Sequence, residues 1–388
     1  MVAKKKYIVV GGPRIRGGQI QYRRTRLMNH LANIGSEKEL YWLYSENGRF
    51  RDLGKVILEK VVLDSGRTVN SIRVCDWYFL IGRGFLSQLL MPKLSKMIGS
   101  MGDYDVLIYT LPRFASLVNL FQRCKVIYDV SDNWIGQYRT LSVKSLTLKF
   151  LLGQTEKTIC QRADTIFASS SFIKTEYEDK YSINVSLVQN GVDYGAISSL
   201  PMTQEVKKSD GYKHIVGFSG SFLNREINKI DVELLLLLAT RRPKWLFIII
   251  GPYDQSPVGN IRSLLECSNV RFMGFIDPLH LGGFIKVFDL ALLPYLKNDF
   301  TAGIFPIKLY EYIACGVPIV SINLPATEEI SKMTRFYKYV DGKEHFLSSC
   351  DRLLATTMTD QEKKEYRKLA KQSDWTNVFK TITESLGH

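Results

Sequence analysis

The sequence is poor in the residues that build metal and redox sites. Its 5 histidines, His30, His214, His280, His345 and His388, lie far apart. Its 6 cysteines, Cys75, Cys124, Cys160, Cys267, Cys315 and Cys350, form no C-x-x-C pair and no cluster with histidine. That spacing argues against a protein-built zinc site and gives no sign of a disulfide framework. No stretch approaches the ~18 consecutive apolar residues needed to span a bilayer. The longest aliphatic runs, Leu234–Ala239 and Leu246–Ile250, read as buried elements. The apolar part of the start, Tyr7–Val10, is too short for the core of a signal peptide and meets Gly11-Gly12-Pro13 at once. A cytoplasmic chain is the expectation. There is no short-period repeat, no low-complexity segment, and no recognition helix, RNP-type aromatic motif or finger to suggest nucleic acid. The glycines of residues 11–24, GGPRIRGGQIQYRR, lack G-x-G-x-x-G spacing, which argues against a nicotinamide or flavin fingerprint.

What is present is a soluble-type composition of 388 residues, 45% hydrophobic and 23% charged, long enough for two domains. The formal charge of +14 is uneven: basic residues exceed acidic ones by 11 in residues 1–200 and by 3 in residues 201–388. An anionic partner of the first half is implied.

Short β-branched runs alternate with helical stretches, the pattern of parallel sheets covered on both faces. In the first half the runs predict strands near Tyr7–Val10, Leu40–Tyr44, Val106–Tyr109, Lys125–Asp129, Thr165–Ala168 and Ser186–Gln189. A helix is expected at Gln21–Asn33, with Leu27, His30, Leu31 and Ile34 on one face. Residues 200–212, PMTQEVKKSDGYK, have linker composition. The alternation then restarts: strands at His214–Ser219, Trp245–Ile250, Val270–Gly274, Leu290–Pro294 and Pro318–Ile322, with helices at Asp231–Ala239 and Phe305–Ala314. The expected division is a first domain over 1–198, a linker over 199–212, a second domain over 213–372, and a terminal helix over 373–388. Two doubly wound α/β halves facing each other would bind ligands at the carboxyl ends of their strands.

The most specific segment is 299–322, DFTAGIFPIKLYEYIACGVPIVSI. Pro306 suits the first helical position, where its missing N–H is no loss. The helix N-terminus offers free N–H groups and the positive end of a dipole, with Lys308 one turn in as a charge for phosphates. Glu311 shares the face of Lys308 and can accept the hydroxyls of a ribose. Gly316 closes the helix before Val317-Pro318. An ordinary solvated Lys308–Glu311 pair is the alternative.

This string resembles the P-x-K-x-x-E-Y-x-A-x-G-x-P-V signature of GT-B glycosyltransferases, the family 4 type and its bacterial polysaccharide relatives in particular. The resemblance continues through His214–Phe222, HIVGFSGSF, which is similar to the strand and glycine loop that opens the donor domain. It includes Trp245–Tyr253, Asn269–Phe275 and Phe288–Tyr295, and ends at Asp374-Trp375 before a helical run. It implies two Rossmann-like domains, metal-independent chemistry with no cofactor, and a nucleotide-diphospho-sugar donor, UDP favoured. The donor contacts it implies are Glu311 and Lys308, Gly220, Met273, Gly274 and Phe275 around the base, and Thr301, Ala302, Gly303 and Ile304 around the sugar. Arg225 and Lys229, just past GFSGSF, could reach the diphosphate. Many members of the family carry a second acidic residue where this chain has Gly303, so the sugar would be read by the main chain of 302–305 or by Asp299 and Thr301.

In the first half, Val126–Trp134, VIYDVSDNW, ends a strand in Asp129 and Asp132. It resembles the Y-D-x-x-D stretch of bacterial polysaccharide glycosyltransferases, in whose inverting members the residue matching Asp132 is the base that takes the acceptor proton. A positioned carboxylate of this kind is typically worth ~10²–10⁴ in rate. The alternative is that both aspartates cap the next helix. Arg14, Arg16, Gly17, Gly18, Arg23 and Asp129 are candidates for holding the acceptor, a glycan or lipid-linked glycan. Asp103-Tyr104-Asp105 spells D-x-D but precedes a strand and reads as a turn. Residues 75–100 mix Trp77, Tyr78 and Phe79 with Arg83, Lys93 and Lys96, a composition suited either to an anionic membrane surface or to a core. The sequence leaves two other functions open: a GT-B-fold nucleotide-sugar 2-epimerase, and a binding subunit without turnover.

Overall fold

The computed structural model describes residues 4–12, 14–15, 22–34, 38–47, 56–76, 104–115, 117–136, 143–206, 211–223, 229–254 and 259–387. Arg16, Gly17, Gly18, Arg225, Asp103 and the 77–100 stretch lie outside them. The chain divides into two compact units, Met1–Gln189 with Phe379–His388, and Asn190–Val378. The helix Trp375–Glu384 supplies residues to both. The 199–206 part of the expected linker belongs to the second unit.

The first unit is built on eight strands: β1 (Lys5–Val10), β2 (Lys38–Asn47), β3 (Val56–Val62), β4 (Thr68–Asp76), β5 (Val106–Tyr109), β6 (Lys125–Val130), β7 (Thr165–Ala168) and β8 (Ser186–Leu187). They lie in the order β3-β4-β2-β1-β5-β6-β7-β8. Every pairing is parallel except β3 with β4, a hairpin register from Val56↔Val74 to Val62↔Thr68. The central strands are continuous apolar runs because both faces are covered: Ile8, Val9 and Val10 of β1 and Leu107, Ile108 and Tyr109 of β5 are fully buried. The helix Arg23–Asn33 follows β1 and buries Leu27, Met28 and Leu31. Sheet order reverses at β1, whose neighbours are β2 and β5. The carboxyl end of β1 is therefore a topological switch point, where such sheets bind ligands.

The second unit holds six parallel strands, β9 (His214–Ser219), β10 (Trp245–Ile250), β11 (Val270–Gly274), β12 (Leu290–Pro294), β13 (Ile319–Ile322) and β14 (Tyr337–Val340). Their order, β11-β10-β9-β12-β13-β14, is that of a doubly wound nucleotide-binding sheet. All six residues of β10, WLFIII, are buried. Its switch point lies between β9 and β12, so the loops after Ser219 and Pro294 flank the predicted ligand position. Helix starts carry their own caps. Asp231 accepts from Leu234 N at 2.9 Å, and Thr359 and Glu362 form a capping box.

Several boundaries differ from expectation by a few residues, two of them at helix starts near the candidate sites. Pro306 is the N-cap, with extended backbone (φ −74°, ψ 130°), and the helix runs from Ile307 to Cys315. The first-half helix begins at Arg23, after Tyr22.

Candidate functional site

In the second unit the loops after three neighbouring strands are tied into one surface. Gly220 N donates to Ile250 O at 2.8 Å, Gly251 N to Gly274 O at 2.7 Å, and Phe222 N to Pro252 O at 2.8 Å. These bonds extend the sheet ladder past its strands. Gly251 has φ +140°, and a Cβ there would lie 1.9 Å from Gly220 O. Only glycine lets the two loops stack this closely.

The helix Ile307–Cys315 is fastened to the same surface. The buried Tyr312 hydroxyl accepts from Ser219 N at 2.8 Å and lies 3.0 Å from Ser219 Oγ. Burial pushes this phenol well above its ordinary range, so it stays a neutral hydrogen-bonding group. Lys308 stands one turn earlier on the same face. Its ammonium is 5.0 Å from the centre of the Phe218 ring, and 3.0 Å from the point a Gly220 Cβ would occupy. The positive charge therefore sits over the bare backbone of Gly220, at the β9–β12 switch point and the start of a nine-residue helix. Phe305, just before that helix, has its carbonyl held by Asn190 Nδ2 at 2.6 Å. At the other end Arg367 Nη2 donates to Cys315 O at 3.0 Å and Gly316 adopts φ +74°. Glu311 is half-buried on the face between Lys308 and Cys315.

The loop that the sequence assigned to the sugar is self-contained. Thr301 is fully buried, and its hydroxyl donates to Leu296 O at 2.5 Å and Asn298 O at 2.9 Å. Thr301 N donates to Asn298 Oδ1 at 2.9 Å, completing a capping box around the helix Asp299–Ala302. Ala302 N bonds Asn298 O and Ile304 N bonds Thr301 O, both at 3.0 Å, and Gly303 N also reaches Thr301 O. Expected as sugar contacts, the Thr301 hydroxyl and these three amides instead shape the loop. Asp299 remains exposed on it. Lys229 joins this loop: its ammonium is 5.3 Å from the Phe300 ring centre, and its carbonyl accepts from Leu296 N at 2.9 Å.

Around the expected base loop, Gly274 has φ +67° and Met273 packs against the core. Phe275 is 51% exposed. It also lines a cavity of about 430 Å³ with Met202, Asp277, His280 and Phe284.

In the first unit the candidates separate into two groups. Arg23 and Asp129 are 3% and 0% exposed and bind each other, Nη2 to Oδ1 at 2.8 Å and Nε to Oδ2 at 2.9 Å. Arg23 Nη1 also donates to Gln189 O at 2.9 Å. This pair, 106 residues apart in sequence, joins the first helix to the end of β6 and is enclosed. The sequence suggested acceptor contacts for both residues; the structure buries them against each other. Arg14 forms an ion pair with Glu59 at 3.0 Å. Asp132 is part-exposed in the loop after β6, where Ser131 Oγ donates to its Oδ2 at 3.2 Å. The loop is held by Ser169 Oγ on Ser131 O at 2.9 Å and by Asn133 on Glu176 at 3.0 Å. Asp105 accepts from Lys6 N at 2.8 Å, as a turn residue would.

Sequence reasoning missed Tyr312, Gly251 and Asn190. The first two were visible in principle: Tyr312 lies four residues beyond Lys308, and Gly251 ends the run WLFIII. Among the described residues no group of three or more His, Cys, Asp or Glu side chains is placed to hold a metal ion. No described helix is long and apolar enough to cross a membrane.

Known proteins share sequence and fold with this chain. Residues 213–356 match the family model described as glycosyl transferases group 1. A Bacillus subtilis (strain 168) protein named as a teichuronic acid biosynthesis glycosyltransferase, TuaH, is 28% identical over 394 residues, covering 95% of this chain and 94% of that one. Among solved structures, Anabaena Alr3699/HepE in complex with UDP and glucose superposes with a TM-score of 0.65 at 16% identity, covering 99% of both chains. An Escherichia coli structure described as trehalose-6-phosphate bound with UDP-2-fluoro glucose gives 0.72 at 10% identity, covering 98% of this chain and 99% of that one. At such identities the structural likeness speaks for the fold. Taken with the sequence matches, it makes the chain a glycosyltransferase with the GT-B fold, resembling those of bacterial polysaccharide synthesis.

Proposed function

We propose that the chain transfers a sugar from a nucleotide-diphospho-sugar, UDP-linked, to a glycan or lipid-linked acceptor in the synthesis of a cell-surface polysaccharide. The observation that carries this reading is the Lys308 ammonium over Gly220 at the start of the helix Ile307–Cys315. A diphosphate leaving group gains negative charge as the glycosidic bond breaks. A fixed ammonium and helix-end amides stabilise that charge more in the transition state than in the ground state. Glu311, one turn further, accepts the ribose hydroxyls, and Lys229 adds positive charge beside the Phe300 loop. On the acceptor side, Asp132 removes the proton of the attacking hydroxyl. This sugar transfer uses no metal, because Lys308 and the helix terminus do the work a cation would do.

UDP in HepE and the fluorinated UDP-glucose in the E. coli structure belong to those proteins, and they support UDP as the first nucleotide to try. The name of the Bacillus relative supports a polysaccharide acceptor. The test is a thermal-shift titration with UDP, GDP, ADP and CMP, with and without Mg²⁺, on the wild type and Glu311→Ala. A ligand at ~100 times its Kd adds about 2.7 kcal/mol of stability. Stabilisation by UDP without metal, lost in Glu311→Ala, is the expected result. Equal stabilisation of both proteins would remove Glu311 from the site, and no shift with any nucleotide would overturn the donor assignment.

A further inference from the structure

Resting on the reading that the first unit receives the acceptor, we propose that Arg24 is the receptor for an anionic group on that acceptor, a phosphate or a carboxylate. The basic excess of residues 1–200 called for such a contact, and Arg14, Arg16 and Arg23 were its sequence candidates. Of the two that are described, Arg14 is paired with Glu59, and Arg23 is enclosed with Asp129. Arg24 was not singled out, and its environment is different.

Its guanidinium lies close against the backbone at Gly12. A Cβ on Gly12 would fall 2.5 Å from Nε, 2.8 Å from Cζ and 3.0 Å from Nη2. From another side the Tyr22 ring stands 4.6 Å from Cζ. The group is thus held between the Tyr22 ring and the backbone at Gly12. Nε is buried with no hydrogen-bond partner, and among the described residues the side chain donates no hydrogen bond and forms no ion pair. A planar fork of five donors normally finds acceptors, and leaving a buried one without a partner is unfavourable. Burial lowers the Arg24 pKa, and the Asp132 carboxylate, near enough to act on it, works against that shift.

The position is informative as well. Gly12 and Arg24 flank the carboxyl end of β1, the switch point of the first sheet, and Arg24 lies in the first turn of the helix Arg23–Asn33. An anionic group bound to the fork would gain both the guanidinium and the helix end. The Asp132 carboxylate would repel a second anion there, while accepting a hydroxyl. Arg24 and Asp132 together therefore suit a sugar that carries one anionic substituent and one free hydroxyl. A phosphate and a uronic carboxylate offer the fork the same pair of oxygens.

The experiment measures thermal shifts with inorganic phosphate and with glucuronate, at ionic strength held constant with chloride. The proteins are the wild type, Arg24→Gln and Lys308→Ala; the last removes phosphate binding at the donor position. Either anion should stabilise Lys308→Ala, glucuronate should stabilise the wild type to the same extent, and Arg24→Gln should need at least tenfold more glucuronate. The more effective anion identifies the substituent. If neither anion stabilises the wild type, or if Arg24→Gln responds like the wild type, the proposal is wrong. It is equally wrong if only Lys308→Ala loses the response. Should Arg24→Gln prove unfolded, Arg24→Lys replaces it, with the charge kept and the fork lost, and the same weakening is expected. A parallel UDP titration reports the donor site alone, so failure of either assignment is visible without the other.

Discussion

At the scale of single residues, the proposed donor surface depends on one glycine and one lysine. Alanine at Gly251 would set a methyl group 1.9 Å from Gly220 O, on a backbone with φ +140°. Strain of this kind costs roughly 1–3 kcal/mol from the dihedral alone, before the clash is counted. Gly251→Ala is therefore expected to lose more than ~3 kcal/mol in urea unfolding. A loss below 1 kcal/mol would mean the loops can part. Lys308 has a different profile, since it is half-buried beside the Phe218 ring and Gly220 and carries no backbone strain. Lys308→Ala should leave stability nearly unchanged and weaken UDP binding about 10–100-fold, the worth of a hydrogen bond to a charged group. Calorimetric titration with UDP decides it. The lysine could be read from the sequence because its motif is contiguous. The enclosure of Arg23 with Asp129 could not, because nothing local pairs residues 106 apart.

At the scale of elements, the helix Ile307–Cys315 is placed by its tyrosine more than by its cap. Pro306 contributes no side-chain cap bond, whereas Tyr312 bridges to both the N–H and the hydroxyl of Ser219. Tyr312→Phe keeps the packing and leaves those buried groups without a partner, at a cost of about 1–3 kcal/mol. If the tyrosine also sets the position of Lys308, UDP affinity should fall in the same variant, and a stability loss with unchanged affinity would refute that link. Contiguous apolar strands were legible to the residue: Val106–Tyr109, Thr165–Ala168, His214–Ser219, Trp245–Ile250 and Leu290–Pro294 stand as read, as does the partly buried Val270–Gly274. The hairpin of β3 and β4 was not, since VILEKVV carries Glu59 and Lys60 inside it and exposes Leu58 and Val62 on an edge. The helix Asp360–Gln372 also went unread, although its capping box, Thr359 to Glu362, was a usable signal.

At the scale of the whole molecule, each unit has a hydrophobic core of its own, and the two cores share no residue. A perturbation buried in one should therefore act on that unit first. Glu156 offers such a perturbation. It is 1% exposed in the first unit, accepts from Tyr177 OH at 2.6 Å and Tyr181 OH at 3.3 Å, and burial pushes its pKa up from 4.5 to about 7. The proton is held more tightly folded than unfolded, so its stabilising effect is complete below pH 4.5 and is lost as pH rises through about 7. At ~1.4 kcal/mol per pH unit, the full effect is about 3 kcal/mol. Glu156→Gln keeps a neutral side chain at every pH. Its advantage over the wild type should therefore grow between pH 5 and pH 8. Amide hydrogen exchange, with rates corrected for intrinsic pH dependence, should show that growth in the helices Val143–Arg162 and Ser171–Tyr181 and in β6. Protection in β9, β10 and β12 should move little. A change spread equally over both units would show that they open as one, and a difference independent of pH would show that Glu156 is already ionised in the fold.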